Sequence, residues 1–498
     1  MVRFSVDAVP EVFLGSAESS RAISEAVRGG TVRKLGPRLY TRNTSEPPED
    51  VVRRNLWLIV GLLFPDAVVS HRTALEARPT PRGTVFLTGP YDRQVELPGL
   101  RIRQIKGAGP LEGDNRFVQT LWLASPARAY LECMRRRVRG TESPALSRAE
   151  IEERLERLIR NGGESEANAL RDRARALAGP LEAEGAFAEL DALIGALLGT
   201  RPAQLEAPAA RARAAGEPYD SGRMELFQAL HSALLEWAVR PRPDEVVEGP
   251  EFENLAFVDA YFSNFIEGTE FEVQEAVEIV FGQRIPRHRP EDAHDILGTY
   301  RVVGSPREMA RSAVAEGATF ESFLALVRRR HAVIMGGRPD KRPGELKQVV
   351  NRAGLTVFVT PELAIGTLRQ GFEMLRSLSD PFRRAAFVTF LIAEVHPFDD
   401  GNGRIARAMM NGELVSGRQR RIFIPTAYRE DYLLALRALS RRGNPDPFIL
   451  MLDRIQAFSA SIEFRDLQAA IRVLEASNAF DKDADARLRM PPRMPPPS

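Results

Sequence analysis

A run of twelve residues near the end of the chain, His396-Pro-Phe-Asp-Asp-Gly-Asn-Gly-Arg-Ile-Ala-Arg407, restricts the fold more than any other feature. It lies between the apolar stretch 385–395 and the helix-forming residues 408–414, so the sequence predicts a buried helix, a loop and a second helix. Pro397 stops the first helix. Phe398 can anchor the loop in the core, and Gly401 and Gly403 permit backbone conformations closed to residues with a side chain. Successive amides of Gly401, Asn402 and Gly403 at the start of the second helix would form an anion nest, where aligned N–H groups and the positive end of the helix dipole favour phosphate. Arg404 and Arg407 stand three residues apart, share a face of that helix and can turn toward one anion.

An imidazole, a carboxylate and two guanidiniums about a phosphate nest suit phosphoryl or nucleotidyl transfer. His396 can take a proton near neutral pH. Asp400 can hold a magnesium ion, which accepts few protein ligands and bridges phosphate oxygens. With nine positions specified, a chance occurrence in a chain of this length is on the order of 10⁻⁸. The string matches the signature His-Pro-Phe-x-(Asp/Glu)-Gly-Asn-Gly-Arg-x-x-Arg of the Fic family at every defined position, and the resemblance carries the family's expectations with it. It implies a mainly α-helical Fic core over 290–460 and AMP transfer from ATP to a Ser, Thr or Tyr hydroxyl of a target protein. His396 would be the base and Asp400 the Mg²⁺ ligand, while Gly401, Asn402, Gly403, Arg404 and Arg407 would hold the nucleotide. Kinase-like transfer, removal of AMP from a modified protein, and a DNA-binding, antitoxin-like transcriptional regulator whose Fic core senses nucleotide or modifies its own chain are the alternatives left open.

Two further segments belong with the signature. Residues 355–361 are the β-type exception in an otherwise helical half. The resemblance implies a β-hairpin flap there, with Thr356, Val357, Phe358 and Val359 aligning the target by main-chain pairing, which is partly independent of the target's sequence. Upstream, Ser263-Asn-Phe-Ile-Glu267-Gly268 fits the family's inhibitory pattern (Ser/Thr)-x-x-x-Glu-(Gly/Asn) in residues 220–289. Ser263 and Glu267 share a helix face, Gly268 suits the helix end, and Thr269-Glu-Phe-Glu272 reads as a capping box for the next helix. The resemblance implies that Glu267 pairs with Arg407 and hinders productive ATP binding. Relief would come from a change of homo-oligomer, from the N-terminal domain or from an effector.

The rest of the chain reads as additional domains. The 498 residues carry 69 basic and 67 acidic groups, yet residues 1–140 hold 22 and 14 of them, a local charge of +8. A helix-like stretch through Val27, a Gly29-Gly30 break and a basic hairpin over 31–42 suggest a winged helix, followed by helix and strand segments over 70–135. This order resembles the N-terminal part of AbiEi-type antitoxins. The resemblance implies an α+β domain, a winged helix plus a small α/β domain, over 1–140. It also implies DNA as a partner, with Arg21, Arg28, Arg33, Lys34, Arg38 and Arg42 near phosphates. Residues 141–219 read as a helical connector and linker, and 461–498 as a C-terminal helix and a disordered tail. One cysteine, Cys133, excludes a disulfide framework and a thiolate zinc site. The longest apolar run near the N-terminus, 56–64, is too short to span a bilayer, so a cytoplasmic protein without membrane contact is expected.

Overall fold

The computed structural model describes residues 9–135, 142–354, 356–482 and 487–491. Residues 1–8 and 136–140 of the expected N-terminal domain, residue 141 of the expected connector, Leu355 of the expected flap, and 483–486 and 492–498 of the expected C-terminal segment lie outside the described residues. The chain divides into two compact units, Met1–Gly216 and Glu217–Ser498. Among the described residues no helix is long and apolar enough to cross a membrane.

In the first unit the expected helix, break and hairpin are present. The helix Ser20–Arg28 is followed by Gly30 at φ 73° and by the antiparallel strands Arg33–Gly36 and Leu39–Thr41, with Val12–Leu14 pairing on the other edge of Leu39–Thr41. Four of the arginines expected near phosphates make contacts inside the unit: Arg21 pairs with Glu25 at 3.2 Å, Arg28 donates to the Ser24 carbonyl at 3.4 Å, and the other two reach across the fold. Arg33 donates to the Glu46 carbonyl at 2.7 Å and Arg38 to the Gly15 carbonyl at 3.2 Å. A mixed six-stranded sheet follows, in the order Arg93–Leu97, Leu100–Lys106, Thr84–Gly89, Val68–Val69, Trp122–Leu123 and Asn115–Arg116. Thr84–Gly89 is buried at every position because both faces of this central strand are covered. The strand Trp122–Leu123 feeds the helix Pro126–Met134, where Pro126 opens the first turn and the Ser125 hydroxyl accepts from the Arg128 amide.

Residues 142–216 correct the connector reading. The helix Arg148–Ala178, bent at Gly163, and the helix Glu184–Leu197 share a hydrophobic core with Tyr130 and Leu131. Leu205, Ala207 and Ala210 of the Pro/Ala stretch are buried in the same core, so that stretch is packed and is not a linker.

Among its described residues the second unit is helical apart from one short hairpin and an isolated bridge between Pro243 and Gln419. Its centre is the helix Asn402–Ser416, buried from Arg404 through Leu414. The helix Pro381–Val395 packs along it, and both lie in a core with Phe227, Phe323, Phe372 and Phe390. Asp380 starts the helix Pro381–Val395 by accepting from the amides of Phe382 and Arg383 at 2.9 and 3.1 Å. The helix Pro250–Ile266 closes on a Schellman arrangement, with Gly268 at φ 90°, its amide donating to Phe265 O at 3.0 Å and the Thr269 amide to Asn264 O at 3.1 Å. Thr269 thereby ends one helix and does not begin the next. The helix Val273–Val280 starts from Glu272 with no side-chain cap, which corrects the capping-box reading. Ahead of the helix Pro361–Arg376, Arg352–Ala353 pairs antiparallel with Thr356–Val357.

Candidate active site

His396 sits where the helix Pro381–Val395 ends. The residue before a proline is kept out of the right-handed helical region, and His396 takes φ 53° and ψ 60°. Its ring folds back so that Nδ1 lies 3.2 Å from the Ala393 carbonyl oxygen. A carbonyl only accepts, so the hydrogen resides on Nδ1 and Nε2 keeps its lone pair. The ring stacks on Phe358 with centroids 3.8 Å apart and planes 9° from parallel. Burial lowers His396 from 6.5 to about 4, with Lys347 adding to the effect and the Ala393 carbonyl opposing it, so the imidazole is uncharged at neutral pH.

Neighbouring side chains fix the loop after His396. Asn402 does not present its amide to a ligand as the signature suggests. It is buried, accepts from the Phe398 amide at 2.9 Å and donates to the Phe398 carbonyl at 2.9 Å. The Gly401 amide is likewise spent within the loop, on Asp400 Oδ1 at 2.6 Å. Gly401 must be glycine, because φ is 71° and a Cβ would strike Met335. Asp400 keeps a half-exposed side chain, with its Oδ1 3.9 Å from Arg404. Arg404 is buried against Asp295, 2.8 Å away.

Arg407 is 3% exposed and meets the upstream helix. Its Nε donates to Ser263 Oγ at 2.9 Å, and its Nη2 donates to the Ser263 carbonyl at 2.8 Å and to Glu267 Oε1 at 2.7 Å. Glu267 caps the C-terminal end of that helix and is followed by Gly268 at φ 90°. The Glu267 carboxylate lies over Gly403 so closely that a Cβ on that glycine would collide with it. A carboxylate therefore stands over the first turn of the helix Asn402–Ser416, where an anion is favoured.

His396, Gly403, Arg407, Glu267 and Tyr432 line one cavity of about 480 Å³, together with Thr356 and Phe358 of the hairpin segment. That volume suits a nucleotide-sized ligand. Gly401, Asn402 and Arg404 are not among its wall residues. Within the segment expected to form the flap, Val357 is exposed, Phe358 covers the His396 ring, and Val359 is buried in the core, so Val359 offers no surface to a target.

Residues 322–414 match the model of the Fic/DOC family. The chain carries a Fic domain. Caenorhabditis elegans protein adenylyltransferase fic-1 is 24% identical over 198 residues, 39% of this chain and 38% of that protein. Drosophila erecta protein adenylyltransferase Fic is 31% identical over 121 residues, 24% of this chain and 21% of that protein. The chain thus matches well under half the length of these curated relatives. Among solved structures, residues 134–508 of C. elegans Fic-1 superpose with a TM-score of 0.37 at 20% identity, covering 66% of this chain and 99% of that one.

The Fic domain also uses residues that carry no local motif. Lys347, one of five lysines in the chain, donates its ammonium to the Val395 carbonyl at 3.1 Å and its amide to the Pro397 carbonyl at 2.9 Å, bracketing His396. Burial, with Arg223 nearby, lowers it to about 8. His331 receives the Gly344 amide on Nδ1 at 2.9 Å, so its hydrogen is on Nε2, which donates to the Asp400 carbonyl at 2.9 Å. Its ring stacks on Phe398 at 3.7 Å.

Burial lowers His331 from 6.5 to about 4. The unfolded imidazole takes up a proton near pH 6.5 and the buried one only near 4, so acid favours the unfolded chain across that window. His331 alone is expected to remove up to about 3 kcal/mol of stability between pH 7 and pH 4. Urea unfolding across that range should show a shallower pH slope for His331→Gln than for wild type, and an unchanged slope would rule this assignment out.

Proposed function

We propose that the protein is a protein adenylyltransferase, which moves AMP from ATP to a hydroxyl of a protein. The observation that carries this reading is that a neutral imidazole with a free Nε2 opens on the same cavity as Gly403 and Arg407. An anion bound over the first turn of the helix Asn402–Ser416 meets an amide-lined helix end and a buried guanidinium within reach of a base. The target hydroxyl gives its proton to Nε2 of His396 and its oxygen attacks the α-phosphorus. A P–O bond to the target forms, the bond to the oxygen bridging the α- and β-phosphates breaks, and pyrophosphate leaves. The names of the two curated relatives above, both protein adenylyltransferases, support the α-phosphate as the point of attack.

Asp400 fits a magnesium ion, since its carboxylate is half-exposed and such an ion takes one or two carboxylates beside substrate phosphates. When bound, the ion would offset charge on the leaving phosphates. Thr356 and Val357 offer an exposed strand edge beside His396, to which an extended target segment could add. In this reading Glu267 is an inhibitor, because its carboxylate occupies the ground that a phosphate needs and engages Arg407.

The test uses ATP labelled in either the α- or the γ-phosphate. Label from the α-phosphate is expected on protein and none from the γ-phosphate. Transfer of γ label would replace this reading with a kinase-like one.

A further inference from the structure

A second groove adjoins the cavity on the other side of the helix Arg429–Arg442. It runs between that helix and Asp446–Ala460, encloses about 660 Å³, and shares Arg437 and Arg441 with the cavity that contains His396. Leu434 and Leu450 are 56% and 38% exposed in its walls. Four arginines line it, Arg437, Arg441, Arg442 and Arg454, against one acid, Asp431. Arg441 donates to Thr356 of the hairpin at 3.1 Å. Arg437, Arg442 and Arg454 form no ion pair among the described residues. Elsewhere in the Fic domain, arginines such as Arg338, Arg384 and Arg404 are matched to carboxylates.

We propose that this groove docks an acidic segment of the protein target that also carries an apolar side chain. The inference rests on the reading of the protein as an adenylyltransferase acting on proteins. Charge complementarity selects acidic residues, and the exposed leucines between the arginines favour an apolar side chain that a nucleic-acid backbone lacks. Arg437 and Arg441 link groove and cavity, so a chain lying in the groove continues toward the hairpin and His396. The groove supplies a preference for targets that main-chain pairing at the hairpin does not.

The test is fluorescence anisotropy on the full chain with a labelled twelve-residue peptide of repeating Glu, Asp and Leu that contains one serine. The comparison probes are the same peptide with Leu replaced by Gly and a single-stranded oligonucleotide of equal charge. Arg442→Glu with Arg454→Glu changes two exposed residues outside the cavity, and should leave ATP affinity and melting temperature unchanged. The leucine peptide is expected to bind most tightly, and the double reversal to weaken it on the order of tenfold or more at low salt. Equal binding by the reversed protein, no peptide binding, or a glycine peptide or oligonucleotide that binds as well would each overturn the proposal. The serine is scored separately for α-phosphate label. Failure of all labelling would count against the adenylyltransferase reading, while the anisotropy still decides the groove.

Discussion

His396→Ala is expected to abolish AMP transfer, with the rate falling by about 10²–10⁴ and ATP affinity changing little. The imidazole is held by a hydrogen bond to Ala393 and by stacking on Phe358, which leaves Nε2 as the free acceptor on the cavity. Alanine removes that acceptor and leaves Gly403 and Arg407 in place. The loss should therefore appear in the rate constant and not in nucleotide binding. Single-turnover transfer from α-labelled ATP, beside equilibrium ATP binding, checks both. Transfer at an unchanged rate would show that another group takes the proton. His396→Asn separates chemistry from architecture, since asparagine tolerates the left-handed backbone conformation at this position. It should fold like wild type and be nearly as inactive as the alanine variant.

The signature loop was legible because its constraints are local. Pro397 ends a helix, and Gly401 occurs where φ is positive and no Cβ fits. Identity did not reveal where polar side chains point. Asn402 looks like a ligand in sequence and is a brace for Phe398 in the structure, because a buried amide takes whichever partners complete its hydrogen bonds. Lys347, His331 and Asp295 come from separate parts of the chain, and each acts as a single residue with no repeating pattern around it. The pairing of Glu267 with Arg407, 140 residues apart, was accessible only through the resemblance. The sequence of the packed layer 142–216 hides its core because the buried positions include many alanines, among them Ala167, Ala174, Ala207 and Ala210. Alanine signals helix without declaring which face is covered.

Glu267→Gly is expected to raise AMP transfer on the order of 10- to 100-fold, the effect of removing a competitor worth about 1.4–2.8 kcal/mol at the anion site. The same change should lower stability in the absence of nucleotide. Arg407 is nearly inaccessible to water and would keep only Ser263 and Tyr432 as partners, so a buried charge loses its counter-ion. Glu267 is 28% exposed, which places the cost below that of a fully buried pair, at about 1–3 kcal/mol. ATP should then stabilise the variant more than wild type, since its phosphates meet an unpaired guanidinium there and must displace Glu267 in wild type. Melting curves with and without ATP measure this difference, and labelling with α-phosphate measures the gain in activity. Glu267→Gln guards against a simpler explanation, because glycine beside Gly268 can fray the end of the helix Pro250–Ile266. Glutamine keeps the chain length and loses the charge, so it should reproduce most of the gain. Activity that stays at the wild-type level in both variants would mean that the ion pair holds two helices together without restraining the enzyme.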